Sequence, residues 1–88
     1  MKPKTVWLDE LTMLEAEDAA KKGKIVILPV GSVEEHGKHL PLCTDCLQPE
    51  YIAVEVAKKA GCLVAPPLRY GVCTETRYYA GTVSVGFE

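Results

Sequence analysis

Both histidines of the chain, His36 and His39, fall in one short stretch, GSVEEHGKHLPLCTD, beside Glu34, Glu35 and Asp45. Imidazole and carboxylate are the nitrogen and oxygen donors that hold a divalent ion. Glu34 and His36 stand two positions apart. In an extended segment their side chains leave the same side of the backbone, roughly 6–7 Å apart. Each then reaches one ion, or one ion each of a close pair. Asp45, returned by the loop, is the candidate third donor. Three protein ligands leave one position of a tetrahedral ion open for water. An ion so held lowers that water's pKa toward about 7 and polarises a carbonyl oxygen, which together suffice for amide hydrolysis. The plain alternative is a solvated loop whose acids cap the next helix.

A strand must deliver such a loop. Residues 24–30, KIVILPV, are nearly all apolar and rich in β-branched types, which predicts a central parallel strand covered on both faces. Gly31-Ser32 ends it. Residues 31–47 then form a long loop at the carboxyl end of the strand, the edge where open α/β sheets bind ligands. Upstream, residues 1–11 read as an extended lead-in anchored by Val6, Trp7 and Leu8. Thr12-Met13-Leu14-Glu15 is a capping-box pattern, so a helix runs from there to about Lys22, with Gly23 closing it. Downstream, Pro49 reads as the first residue of a second helix that ends near Ala60 at Gly61. Tyr51, Ile52, Val56, Ala57 and Ala60 are its expected sheet-facing arc. Cys62–Ala65 is the next strand, making a parallel crossover. Residues 69–80 form a second loop at the same edge, and the alternating GTVSV segment (81–85) is a candidate third strand.

The predicted fold class is α/β with a mostly parallel sheet. So few strands leave unpaired edges, which predicts either a piece of a longer protein or cover by another chain.

With 48% hydrophobic and 25% charged residues, the chain has a globular rather than a disordered composition. Its net charge of −2 offers no electrostatic basis for binding nucleic acid or an anionic membrane. No apolar run approaches the roughly 20 residues of a membrane span. MKPKTVWLDE has no signal-peptide core, so a cytoplasmic location is expected. Free thiols are the expected state of Cys43, Cys46, Cys62 and Cys73 in that compartment. Two other readings of the cysteines are a structural zinc ion on the Cys43-x-x-Cys46 pair and a redox motif. The redox motif is disfavoured because the pair follows a Pro-containing loop and precedes Gln48-Pro49 instead of opening a helix.

The stretch LPVGSVEEHGKHLPLCTD resembles the signature of the creatininase (creatinine amidohydrolase) family, commonly PxGSxEQHGxHLPxxTD. APPLRYGV and GTVSV continue the resemblance in order. It implies a three-layer α/β/α fold, present here as an incomplete β-α-β portion, with residues 1–88 the N-terminal part of a single domain. It also implies a homo-oligomer, often a hexamer, that hydrolyses a non-peptide or cyclic amide C–N bond of a small-molecule amide substrate. Two divalent ions are implied, Zn²⁺ first, with Mn²⁺ or Fe²⁺ as alternatives. By the same resemblance Glu34 is a ligand of one ion, His36 a ligand of the other, and Asp45 the carboxylate that bridges them. Glu35 stands where Gln is common, behind the ligands. His39 matches the motif and either braces the loop or meets the substrate.

The second loop departs from the family pattern. Relatives carry a Ser near Cys73, a His near Thr76 and a Pro where this chain has Ala80; Lys38 replaces another frequent Pro. Arg77, and with it Arg69, is a candidate for binding an anionic substrate group. The family draws a further His and Glu ligand from later sequence. These residues alone are therefore expected to bind metal weakly and turn over little. The rival readings are a non-catalytic truncated chain or subunit that associates through an open sheet edge, and a Cys-ligated zinc module.

Overall fold

The computed structural model describes residues 5–86; the first four residues of the expected lead-in lie outside the described residues. The capping box forms as predicted. Thr12 Oγ1 accepts from the Glu15 amide at 3.2 Å, and Glu15 Oε1 accepts from the Thr12 amide at 2.9 Å. Helix α1 (Met13–Lys21) follows, and the chain leaves it through Gly23 at φ +67°. Lys21 and Lys22 pair with Glu17 and Asp18 one turn back, the arrangement that suits the helix dipole.

Strand β1 (Val26–Ile27) pairs in parallel with β2 (Leu63–Val64), Val26 opposite Leu63 and Ile27 opposite Val64. The seven-residue apolar run is thus a two-residue strand, resumed by a bridge from Val30 to Leu68. Pro29 stands between them; it has no N–H to donate, and its carbonyl accepts from Leu68. Among the described residues β2 is the middle row. Trp7 bridges Val64 on the other side, with the Val64 amide donating to the Val6 carbonyl at 2.7 Å. Val64 is fully buried, while Val26, Leu28 and Val30 are 46%, 51% and 59% exposed. Among the described residues, one side of β1 is thus left uncovered. Apolar composition shows that a segment suits burial, but not what buries it.

Helix α2 (Thr44–Ala60) returns the chain to β2 and stops at Gly61, φ +74°. It begins five residues before the predicted start at Pro49, and Pro49 lies inside it. The missing proline N–H deprives the Asp45 carbonyl of its helical donor. Against that carbonyl lies Gly31, where a Cβ would sit 2.4 Å from the Asp45 oxygen. The helix packs through Ala53 and Ala57 on Val64, with Val6, Trp7, Ile27, Val54 and Cys62 around them. Tyr51, Ile52 and Val56, predicted to face the sheet, are exposed, because the small alanines permit the closer approach and turn that face inward. The 81–85 segment forms no strand. It makes a single parallel bridge, Gly71 to Ser84, and its Val83 amide donates to the Val33 carbonyl at 2.8 Å. The result is an α/β arrangement with both loops at one sheet edge. Among the described residues, no helix is long and apolar enough to cross a membrane.

Candidate active site

Residues 31–43 leave the sheet without regular structure, and Asp45 enters from the first turn of α2. Between them stands Ser32, a residue read in the sequence only as the strand's end. Its Oγ lies 2.8 Å from Glu34 Oε1 and 3.1 Å from Asp45 Oδ2. His36 Nδ1 lies 3.0 Å from the Glu34 carbonyl, and Nε2 lies 3.1 Å from Asp45 Oδ1. Ser32, Glu34, His36 and Asp45 are thus neighbours at the strand exit. Of the three candidate ligands only His36 and Asp45 meet side chain to side chain, and Glu34 is linked through Ser32 and its own carbonyl; among the described residues, no three His, Cys, Asp or Glu side chains are placed to hold a metal ion.

The second loop closes on the same strand exit. Thr76 Oγ1 donates to Glu34 Oε2, the Glu35 amide donates to Thr82 Oγ1 at 2.8 Å, and Val33 is held by Val83. Ser32, Glu34 and residues 71–76 line a cavity of about 370 Å³. Cys73 is buried at its wall, its amide donating to Ser84 Oγ at 2.9 Å. Burial pushes the Cys73 thiol up from its ordinary value, and the Glu34 carboxylate adds to the shift. Thr76 was visible in the sequence only as a departure from a familial His; nothing local announced a bond to a residue 42 positions away.

The remaining predicted residues stand apart. His39 and Arg77 are exposed and share no hydrogen bond with Glu34, His36 or Asp45 among the described residues. The Arg77 guanidinium lies over the Tyr78 ring, 4.8 Å from its centre. Arg69 makes a two-pronged pair with Glu50, at 2.8 and 3.1 Å. All four cysteines are free. The Cys43-x-x-Cys46 pair does open a helix, contrary to expectation, since Cys43 is the N-cap of α2. Cys46 is buried, its thiol donates to the Ser32 carbonyl at 3.1 Å, and desolvation raises its pKa. For Cys46 a reactive or metal-bound thiolate would need the opposite shift.

Fold and site together define an α/β protein whose polar groups converge beyond the carboxyl end of a parallel β-α-β unit. Residues 9–88 match the family Creatininase, described as creatinine amidohydrolase, and the chain belongs to that family. It is 36% identical over 88 residues to creatinine amidohydrolase of Pseudomonas putida, covering 93% of this chain and 34% of that protein. It is 43% identical over 68 residues to the mycofactocin precursor peptide peptidase of Mycolicibacterium smegmatis, covering 70% and 28%. A solved manganese creatininase superposes with a TM-score of 0.89 at 35% identity, over 94% of this chain and 35% of that one. A zinc–zinc form of a creatininase mutant gives 0.88 at 35% identity, over 94% and 34%. The chain thus spans about a third of the length of the curated relatives it matches.

Proposed function

We propose that these residues form one side of the active site of a metal-dependent amidohydrolase, with Glu34, His36 and Asp45 as metal ligands. The observation that carries this reading is the convergence of the Glu34 and Asp45 carboxylates on Ser32 Oγ, whose single hydrogen they share, beside the His36 imidazole. Donor chemistry supports it as well. The Glu34 carbonyl can only accept, so Nδ1 carries a hydrogen, and Nε2 is left as the ligating nitrogen, facing a carboxylate oxygen. The donor kinds suit Zn²⁺, Mn²⁺ or Fe²⁺, with Zn²⁺ preferred. The set is incomplete in these residues, so the other ligands come from outside them, in the rest of a longer domain of which residues 1–88 are the N-terminal part.

A bound divalent ion would supply an acidified water and a polarised carbonyl. The chain's own residues do the holding: the Ser32 hydroxyl orients Glu34 and shares its one hydrogen with Asp45, and the Glu34 carbonyl fixes the His36 ring. The cavity is of a size to take a small molecule, which supports a small-molecule amide, non-peptide or cyclic, as substrate. His39 and Arg77, exposed on the two loops that carry the site, are the side chains proposed to meet it. Homo-oligomeric assembly belongs to the same reading, and four free thiols suit the cytoplasm. The test is Glu34→Ala in the complete enzyme, with bound metal measured by elemental analysis and hydrolysis assayed on cyclic and linear amides. Loss of both is expected; undiminished hydrolysis would end this reading.

A further inference from the structure

We propose that Thr76 is a positioning residue for Glu34, its hydroxyl fixing the orientation of that carboxylate; the functional weight of this rests on reading Glu34 as a metal ligand. The terminal torsion of a glutamate is broad and roughly two-fold, so an untethered carboxylate samples many orientations. Here each oxygen is held by a different hydroxyl, Oε1 by Ser32 and Oε2 by Thr76. Each hydroxyl occupies one lone-pair direction and leaves the other for a ligand.

The two tethers come from different parts of the chain. Ser32 sits two residues from Glu34, whereas Thr76 belongs to the second loop. That loop grips the strand exit at consecutive positions: Val83 on the Val33 carbonyl, Thr76 on the Glu34 side chain, Thr82 on the Glu35 amide. The Thr76 carbonyl in turn accepts from the Tyr79 amide at 3.0 Å, which braces the turn that presents the hydroxyl. Thr76 also lines the cavity beside Glu34. A molecule entering that cavity therefore meets the group that sets the carboxylate's orientation.

The experiment, in the complete enzyme, compares the wild type with Thr76→Val, which removes the hydroxyl at nearly constant shape, and Thr76→Ser, which keeps it. Three quantities are read: the Co²⁺ dissociation constant by calorimetry, the Co²⁺ visible spectrum, and the Glu34 carboxyl ¹³C signal of the metal-free protein. Removing a group that orients a ligand typically weakens metal binding about 10–100-fold. Thr76→Val is expected to fall in that range, with an altered spectrum and a displaced Glu34 signal. Thr76→Ser is expected to restore all three. An unmoved Glu34 signal and unchanged Co²⁺ affinity in Thr76→Val overturn the proposal, and so does a Thr76→Ser protein that behaves like Thr76→Val. A wild type that binds no Co²⁺, yet whose Glu34 signal still responds to Thr76→Val and recovers in Thr76→Ser, overturns the metal reading and upholds the positioning role. If Thr76→Val fails to fold by circular dichroism, Thr76→Ala replaces it with the same expected outcomes.

Discussion

His36 Nε2 stands 3.1 Å from Asp45 Oδ1 while the same ring's Nδ1 stands 3.0 Å from a backbone carbonyl. Both neighbours are acceptors, so without a cation between ring and carboxylate the favoured imidazole carries two hydrogens. The Glu34 carbonyl contributes most to raising the His36 pKa above 6.5, and Asp45 adds to it against desolvation. In the metal-free protein, an NMR titration of the ring should give a midpoint above that value. Asp45→Asn should lower it only in part, since the carbonyl bond remains. The sign for stability follows. A raised folded pKa contributes stability that is fully present below the unfolded value near 6.5 and is lost as pH rises through the folded pKa. Metal affinity should run the other way and strengthen over the same range, because the ion displaces the Nε2 proton.

Gly31 is where the backbone leaves no room. A Cβ there would meet the Asp45 oxygen at 2.4 Å and the Cys46 Cα at 2.9 Å, both main-chain atoms that cannot swing aside. Gly31→Ala should cost about 1–3 kcal/mol by overpacking, read as a lowered midpoint in urea denaturation. It should also shift Asp45 and weaken Co²⁺ binding. Unchanged stability and binding would show that α2 does not seat on the strand exit in this way.

Thr12→Ala tests the helix start separately from the site. Loss of the capping box should cost about 1 kcal/mol in thermal or urea unfolding while leaving the His36 titration unmoved, since α1 shares no bond with the site loops among the described residues. A change in the titration would contradict that independence.

The cysteines give a fourth check. Replacing Cys43 and Cys46 together by Ser should cost about 1 kcal/mol, because a serine hydroxyl at 46 can still donate to the Ser32 carbonyl. Circular dichroism should show a folded protein. Outright unfolding on that double substitution would revive the zinc-module reading.

Where a decision depended on neighbouring residues, it was legible in advance. The Thr12–Glu15 box, the glycines that end both helices and the parallel strand–helix–strand order all rest on side-chain and backbone preferences within a turn or two. Glu34, His36 and Asp45 were likewise marked by residue type and spacing. Pro49 misled because a helix-start preference is statistical, and the helix tolerates its ring one turn further in.

The chain's own order of residues thus determined which groups are available for chemistry and that they leave a parallel sheet at its carboxyl edge. Only the tertiary structure decided that β2 is the middle row among the described residues, that two carboxylates converge on Ser32, and that Thr76 reaches Glu34. The physical reason is range. Caps and strand propensity are set by contacts a few residues apart. A hydroxyl finds a carboxylate 42 positions away only once Val33 and Glu35 are held by the returning segment.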